Sequence, residues 1–195
     1  MENIKISGNI RKVAPIYVGA DYAPSIIASV GASDVNDSLS LEIEKAKKAE
    51  ELGASIVTDH TLLDNIEYIQ KKIAQEISIP FSAIPVYEAA VRARKNKGVI
   101  DSQEMIRIIE AQALRGVDIL TLHATAFKDD RELLKETKRI IPCTSRGGTM
   151  MLEILAKSGE ENPYWTYFDD VLNIAQKYNL TLSLGTCFRP ASVYD

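Results

Sequence analysis

The chain contains little cysteine: Cys143 and Cys187 are its two thiols, and they are far apart with no Cys-x-x-Cys spacing. Disulfide scaffolds and self-contained zinc or iron–sulfur sites need more thiols at closer spacing, so neither is expected. Long apolar runs are also missing. No stretch approaches the roughly 20 apolar residues that span a bilayer, and the start of the chain lacks the apolar core of a signal peptide. We therefore expect a cytoplasmic protein without a membrane partner.

An excess of positive charge is missing as well. Lysine and arginine total 23 against 27 aspartates and glutamates, giving a net charge of −4. Nucleic-acid-binding domains usually carry a basic face, and no basic stripe occurs here, so no nucleic-acid partner is expected. With 46% hydrophobic and 26% charged residues among 195, the composition is that of a globular protein with one sizeable core.

The chain does contain a regular alternation of helical and short apolar segments. Helices are predicted over 39–52 (with cap residues Asp37 and Ser38), 65–75, 102–115, 130–139, 150–158 and 167–178. Strands are predicted over 54–59, 79–85, 117–122, near 141 and over 180–184, with a further strand near 25–31. This alternation is typical of a parallel sheet. We expect one domain, 1–195, forming an incomplete parallel (β/α) barrel of the TIM type with about six strand–helix units; an open doubly wound sheet is the alternative.

An internal repeat supports this organisation. The segment from Glu51 to His60 resembles the segment from Leu114 to His123: in both, a helix end is followed by glycine, an apolar strand and histidine. The only two histidines thus fall at equivalent strand ends, where barrel enzymes have their active sites. Histidine there could transfer protons or hydrogen-bond a heterocycle near neutral pH. For each of them, a hydrogen-bonded structural histidine is the alternative.

The segment from Ile141 to Thr149 places a hydroxyl, a guanidinium and two glycines ahead of a helix. Glycine lets backbone N–H groups approach a ligand, and a helix N-terminus carries partial positive charge. The planar fork of Arg146 suits phosphate or carboxylate. Ser145, Arg146 and Gly147 therefore predict an anion cradle, and Arg189 after the last strand adds a second cation. A tight turn with a surface arginine is the alternative.

Further polar residues are expected at the same edge of the sheet. They are Asp59, His60, Tyr87, Glu88, His123, Thr186 and Cys187. Tyr87 could donate its hydroxyl to a substrate, and packing on a helix is its alternative role. Asp59, His60 and Glu88 have no recognised ligand spacing, so no metal is expected. Lysine occurs at no predicted strand end, which disfavours a Schiff-base aldolase.

Five motifs carry a resemblance to a known family. In order they are IPVYEA (84–89), GVDILTLHA (116–124), SRGG (145–148), ENPY with a following Phe-Asp (161–164 and 168–169) and LSLGTCFRP (182–190). Together they resemble the barrel of the phosphomethylpyrimidine synthase (ThiC) family, from about Ile26 to Asp195. That family rearranges 5-aminoimidazole ribonucleotide into the hydroxymethylpyrimidine phosphate of thiamine, using S-adenosylmethionine and a four-iron–four-sulfur cluster.

The resemblance implies a small, anionic, ribonucleotide-like ligand. By the same resemblance, Ser145, Arg146 and Gly147 contact it, and Tyr87, His123 and Arg189 line the same pocket. Catalytic residues stay unassigned.

The chain also departs from the family pattern. It has Ile-Ala-Ser-Val-Gly at 27–31 where the family has Asn-Ala-Asn-Ile-Gly, and Thr58 and His60 where the family has methionine and leucine. Thr186 and Cys187 replace an aspartate and a glycine, and no cysteine-rich cluster motif occurs, so no cofactor is expected in this chain alone.

Two main hypotheses follow. Either the chain is a fragment or divergent member of a thiamine-pyrimidine synthase, or it is a non-catalytic phosphate- or nucleotide-binding paralogue. A purely structural subunit is a third. Because the predicted sheet has unpaired edges, we expect a homo-oligomer or a completing chain, or edges covered by the N-terminal segment 1–23.

Overall fold

The computed structural model describes residues 3–8, 10–34 and 38–194; the cap predicted at Asp37 lies outside them. The strands are β1 (Ile4–Ile6), β2 (Ile16–Val18), β3 (Ile27–Val30), β4 (Ile56–Asp59), β5 (Phe81–Ala83), β6 (Ile119–Leu122) and β7 (Thr181–Leu184). The helices are α1 (Leu39–Glu51), α2 (Ile66–Glu76), α3 (Pro85–Arg94), α4 (Ser102–Leu114), α5 (Asp130–Glu136), α6 (Arg146–Ser158), α7 (Pro163–Thr166) and α8 (Phe168–Lys177). None of these helices is long and apolar enough to cross a membrane.

Five strands form one parallel sheet in the order β3-β4-β5-β6-β7. Each strand pairs with the next one along the chain, as in the register Ile27 to Ile56 between β3 and β4 and Ile119 to Thr181 between β6 and β7. Parallel neighbours need a crossover, and the helices between the strands supply it. The α/β class with a parallel sheet is therefore confirmed, and the strand near 25–31 is real.

The strand predicted near Ile141 is wrong. Residues 140–144 form no strand, and Ile140 and Ile141 are 91% and 50% exposed. Pro142 has no N–H to donate to a ladder, which disfavours a central strand. The segment instead joins the loop after β7, where the Thr144 N–H donates to the Arg189 carbonyl at 3.0 Å. The described residues therefore contain five parallel strands, where about six were expected.

The strand predicted over 79–85 is too long, and a helix was missed directly after it. The strand β5 ends at Ala83, and Pro85 is the first residue of α3. Proline suits that position because its fixed φ matches the helix and its missing N–H would have had no partner there. The turn from β5 into α3 therefore brings Tyr87 into the first turn of a helix.

One face of the sheet carries the main core. Val57, Phe81 and Leu120 are fully buried there and belong to the same apolar cluster as residues of α1, α2, α3, α4, α6 and α8. Right-handed crossovers between sequential parallel strands place all the connecting helices on the same side of the sheet. The opposite face is thus left for other elements to cover.

The N-terminal residues cover the start of that opposite face. The strands β1 and β2 form an antiparallel pair, and Ile6 and Ile16 pack against Ile56 and Ile119, near the beginnings of β4 and β6. The described part of segment 1–23 therefore lies over the sheet face and pairs with neither β3 nor β7. The expectation that it covers the sheet edges is wrong.

Arg11 fastens this segment to the beginnings of the strands. Its guanidinium donates to the carbonyl oxygens of Ala74, Ile77, Ile79 and Gly116 at 2.7–2.9 Å, and to the Asp118 carboxylate at 2.6 Å. The ion pair is shielded, with the Arg11 side chain 12% and the Asp118 side chain 2% exposed. Since Asp118 also accepts from the Phe81 N–H at 2.9 Å, this end of the sheet has its polar groups paired.

Candidate functional site

The opposite ends of the strands converge on a group of polar side chains. His60 follows β4, Tyr87 follows β5 and His123 follows β6, while Arg189 lies in the loop after β7. Because the C-terminal ends of parallel strands share one edge of the sheet, these side chains lie near one another. Arg146 joins them from the start of α6. We call these five residues the strand-end rim.

The helix α6 begins earlier than predicted, at Arg146, so the two glycines lie in its first turn. The Ser145 hydroxyl accepts from the Gly148 N–H at 3.2 Å and is the helix cap. The N–H groups of Arg146 and Gly147, nearer the helix start, have no intrahelical acceptor. Ser145 is only 2% exposed. The predicted ligand contact of Ser145 thus competes with its capping role, while the two first-turn amides, which have no acceptor in their own helix, are groups of the kind that bind anions.

Arg146, Tyr87 and His60 form one contact group within the rim. The Arg146 guanidinium carbon lies 5.9 Å from the centre of the Tyr87 ring, a cation–π distance. The His60 ring meets the same tyrosine edge-on, with ring centres 5.8 Å apart. Burial lowers the pKa of His60, and the charge of Arg146 lowers it further. At neutral pH, His60 is therefore uncharged and Arg146 is the cation of this group.

His123 is the most deeply buried member of the rim, at 7% exposure. Burial, with a smaller contribution from the Arg189 charge, lowers its pKa to about 4. Its Nδ1 atom is buried and has no hydrogen-bond partner within the described ranges. A neutral imidazole with an unpaired nitrogen can donate to or accept from a ligand, but it is not a cation at pH 7.

Three glycines beside the rim allow α6 and the loop after β7 to approach closely. A methyl group at Gly147 would collide with the His123 ring, and one at Gly148 would collide with the Cys187 carbonyl. A methyl group at Gly185 would come within 3.2 Å of His123 Nε2. Glycine at 147 therefore lets α6 pack on His123, glycine at 148 lets α6 pack on the loop after β7, and glycine at 185 lets that loop lie close to His123.

The loop after β7 is fastened to the segment that leads into α6. The Cys143 thiol donates to the Cys187 carbonyl at 2.9 Å, and the Thr144 hydroxyl donates to the Arg189 carbonyl at 3.0 Å. The Arg189 side chain is exposed and donates to the Thr186 hydroxyl at 3.1 Å. Arg189 also reduces the burial-driven rise of the Tyr87 pKa, as Arg146 does. Both arginines thus act electrostatically on one tyrosine.

The comparison with known proteins fits this arrangement. The model of the radical SAM ThiC family matches residues 3–195. The chain belongs to this family. The phosphomethylpyrimidine synthase of Methanocaldococcus jannaschii is 38% identical over 188 residues, covering 95% of this chain and 44% of the relative. Phosphomethylpyrimidine synthase 2 of Methanosarcina barkeri is 36% identical over 187 residues, covering 96% and 44%.

A bacterial relative gives the same result. The phosphomethylpyrimidine synthase of Thermus thermophilus is 34% identical over 180 residues, covering 91% of this chain and 41% of the relative. The chain thus spans less than half the length of the curated relatives it matches. The family resemblance seen in the sequence is therefore confirmed.

Several positions where this family member departs from the expected pattern share one face of the sheet. Ser29 pairs with Thr58, and Thr58 pairs with Ser82. Alternation along each strand places them on the face opposite the helices, and His60 continues that face beyond Thr58. The surface below the rim is therefore polar.

Two carboxylates expected at the rim belong to the helix layer instead. Asp59 is 1% exposed and accepts from the Gln70 amide at 3.0 Å, and burial raises its pKa to about 6. Glu88 is fully buried, and Arg115 donates to its two oxygens at 2.7 and 2.9 Å. The prediction that Glu88 stands at the rim is wrong. Within the described ranges, no three histidine, cysteine or acidic side chains group as a metal site would require.

Sequence reasoning included Asn162 in the ENPY motif but gave it no role; in the fold it holds the turn that follows β6. It is fully buried, and its amide donates to the carbonyl oxygens of His123 at 2.9 Å and Ala126 at 2.8 Å. The Asn-Pro pair at the start of α7 was a detectable capping signal, because asparagine caps helices and proline favours the next position. Its contact with His123 had no sequence signal, since the two residues meet only in the fold.

Proposed function

We propose that the chain provides the substrate-binding rim of a phosphomethylpyrimidine synthase-type protein of thiamine-pyrimidine biosynthesis. Its ligand is a small anion of the ribonucleotide class. The observation that carries this proposal is the position of Arg146: it is the first residue of a serine-capped helix and lies over Tyr87. The relatives that the chain matches are phosphomethylpyrimidine synthases, and a phosphomethylpyrimidine carries the kind of anionic group that such a rim would bind.

The five-stranded sheet is proposed to be part of a (β/α) barrel. Its strand order is sequential, whereas a doubly wound sheet reverses direction at a switch point. The connecting helices contribute to one core on a single face, as in the outer layer of a barrel. The edges of β3 and β7 are where further strands would pair.

Four of the five rim residues have a proposed role in ligand binding. Arg146 and the first-turn amides of α6 bind the phosphate, and Arg189 provides the second positive charge. Neutral His123 hydrogen-bonds the heterocycle, and the Tyr87 hydroxyl donates to the ligand. Since burial outweighs the arginines and raises the pKa of Tyr87, the phenol keeps its proton at neutral pH. The five rim residues thus include two arginines and no carboxylate, so the rim itself has no negative side chain that would repel an anionic ligand.

The iron–sulfur cluster of the family does not fit the thiols of this chain. Such clusters are held by about four cysteine thiolates, and this sequence contains two cysteines. Cys187 is 2% exposed, and burial raises the pKa of its thiol, which disfavours the thiolate. The roles proposed here therefore involve binding and orientation only.

A second candidate is a phosphate- or nucleotide-binding paralogue without catalysis. The paired substitutions at Ser29 and Thr58 favour it, because they change a neighbouring surface where the family pattern has an amide and a thioether. In that case the phosphate site is retained while recognition of the heterocycle is altered.

Calorimetric titration with inorganic phosphate and with 5-aminoimidazole ribonucleotide tests both candidates. Arg146→Ala should weaken binding of each by about 2–3 kcal/mol, the scale of a lost charge-assisted contact. Arg107→Ala, an exposed arginine on α4 paired with Glu104, is the matched control and should have no effect. Equal affinity in the Arg146 variant and the parent contradicts the anion site. A ribonucleotide that binds no tighter than phosphate favours the second candidate.

A further inference from the structure

His123 has an unusual combination of deep burial and missing hydrogen bonds. Its Nδ1 atom contacts no acceptor or donor in the part of the chain that the structure describes, although the residue is 7% exposed. Histidines with a defined role normally have one ring nitrogen fixed by a hydrogen bond. Because that bond is missing, the orientation of this ring must come from the backbone that carries it and from the atoms packed on it.

Two glycines lie against the ring. Gly147 leaves just enough room for the imidazole against the first turn of α6, and Gly185 lies on the Nε2 side. Glycine offers van der Waals contact but no side chain that could hold the ring by a directed bond. A small shift of the His123 backbone would therefore move the imidazole relative to Arg146 and the free amides of α6.

The backbone of His123 is held by one buried side chain. Asn162 donates one hydrogen bond to the His123 carbonyl at 2.9 Å and another to the Ala126 carbonyl at 2.8 Å, which braces the turn after β6 at both ends. The side-chain oxygen of Asn162 accepts from the Tyr164 N–H at 3.0 Å, at the start of α7. The side-chain amide therefore joins the turn after β6 to the first turn of α7 through three hydrogen bonds.

We propose that Asn162 is a positioning residue: by bracing the turn from His123 to Ala126, it sets the place of the His123 imidazole over α6. Its position in the fold suits this role, because α7 packs on α4 and α8 and so transmits their rigidity to the turn. Asn162 itself is fully buried and bonds to the turn through its side-chain amide. The role for ligand binding rests on the proposed function, whereas the positioning of the ring does not.

Two substitutions isolate this role. Asn162→Ser and Asn162→Asp keep an oxygen that can cap the Tyr164 N–H, since serine and aspartate are good helix caps. Neither can donate to both carbonyls. Asn173→Ser, at an exposed position of α8, is the control.

The readout is the titration of the two histidine Cε1–H signals by NMR, with His60 as the internal reference. In the Asn162 variants, the His123 signal should move and its pKa should rise by about 1 unit toward the ordinary value as the turn loosens and water enters. The His60 signal and the Asn173 variant should be unchanged. A folded Asn162 variant with an unaltered His123 titration overturns the proposal, and so does an equal shift of both histidines.

Two further measurements complete the test. If both variants fail to fold, the wild-type side-chain amides decide: those of Asn162 should exchange with solvent at least about 100-fold more slowly than those of Asn173. Equal exchange rates overturn the proposal. Titration with inorganic phosphate then separates the two claims, because a wild-type chain that binds no phosphate refutes the proposed function while leaving the His123 readout intact.

Discussion

The two ends of the parallel sheet are built from similar polar residues but use them differently. At the strand beginnings, Arg11 has acceptors for its guanidinium, and Asp118 accepts from both Arg11 and the Phe81 N–H. At the strand-end rim, His123 Nδ1 is unpaired and Arg146 meets a tyrosine ring instead of a carboxylate. Paired buried groups stabilise, while unpaired ones cost stability and are kept where a ligand supplies the partner. The comparison separates a structural end from a candidate binding end.

The largest expected effect of a single substitution is at the structural end. Arg11→Ala leaves the Asp118 carboxylate buried without its cation and removes the bonds to four carbonyls. Removing one partner of a buried pair costs about 3–5 kcal/mol, so the urea midpoint should fall sharply. Lys12→Ala, at an exposed neighbouring position, should leave it unchanged. Equal midpoints for the two variants would remove the distinction between the ends.

The second effect is the acid sensitivity of the binding end. The folded pKa of His123, about 4, lies below its ordinary value of 6.5, so protons favour the unfolded chain. The stability contributed by neutral His123 is complete above pH 6.5 and is lost as the pH falls toward 4. The stability difference between wild type and His123→Asn should therefore change by about 2–3 kcal/mol between pH 7.5 and 4.5.

The variant comparison is needed because another group titrates in the opposite sense. The folded pKa of Asp59, about 6, lies above its ordinary value of 3.8, so its contribution is lost as the pH rises between these values. Both chains in the comparison contain Asp59, and its effect cancels. A wild-type minus variant difference that is independent of pH would show that His123 is not held neutral by the fold.

A smaller effect is expected at Gly147. Replacing a helical glycine by alanine usually stabilises by roughly 0.5–1 kcal/mol, because glycine loses more entropy on folding. Here the added methyl would collide with the His123 ring, and overpacking costs about 1–3 kcal/mol. Gly147→Ala should therefore lower stability slightly and weaken phosphate binding. A more stable variant with unchanged affinity would mean that the ring is not packed on α6 as described.

The smallest expected effect is on self-association through the two outer strands of the sheet, β3 and β7, which run between its two ends. Ile27 on β3 and Leu184 on β7 are 58% and 61% exposed, and unpaired edges favour association. We expect an oligomer at high concentration by light scattering, and Leu184→Lys should weaken it because a charge on an edge strand opposes pairing. A folded wild-type monomer at every dilution, with no dye-accessible apolar surface, would contradict this prediction.

The sequence by itself determined the elements whose signals are local. Periodic apolar residues and glycine stops located the strands over 54–59 and 117–122, and the repeat placed both histidines at strand ends. The motif order identified the family. The strand near Ile141 failed because a short apolar run looks the same whether it is buried in a sheet or exposed in a loop.

Tertiary structure alone decided which polar groups are paired. Glu88 and Tyr87 are adjacent in the sequence, yet one is buried against Arg115 and the other meets Arg146, because successive residues of α3 face different elements. Arg11 reaches Asp118 across 107 positions, and Asn162 reaches His123 across 39. No local pattern encodes such contacts, since they depend on how strands and helices pack. The sequence located the candidate site, and the fold determined which of its residues are free to bind.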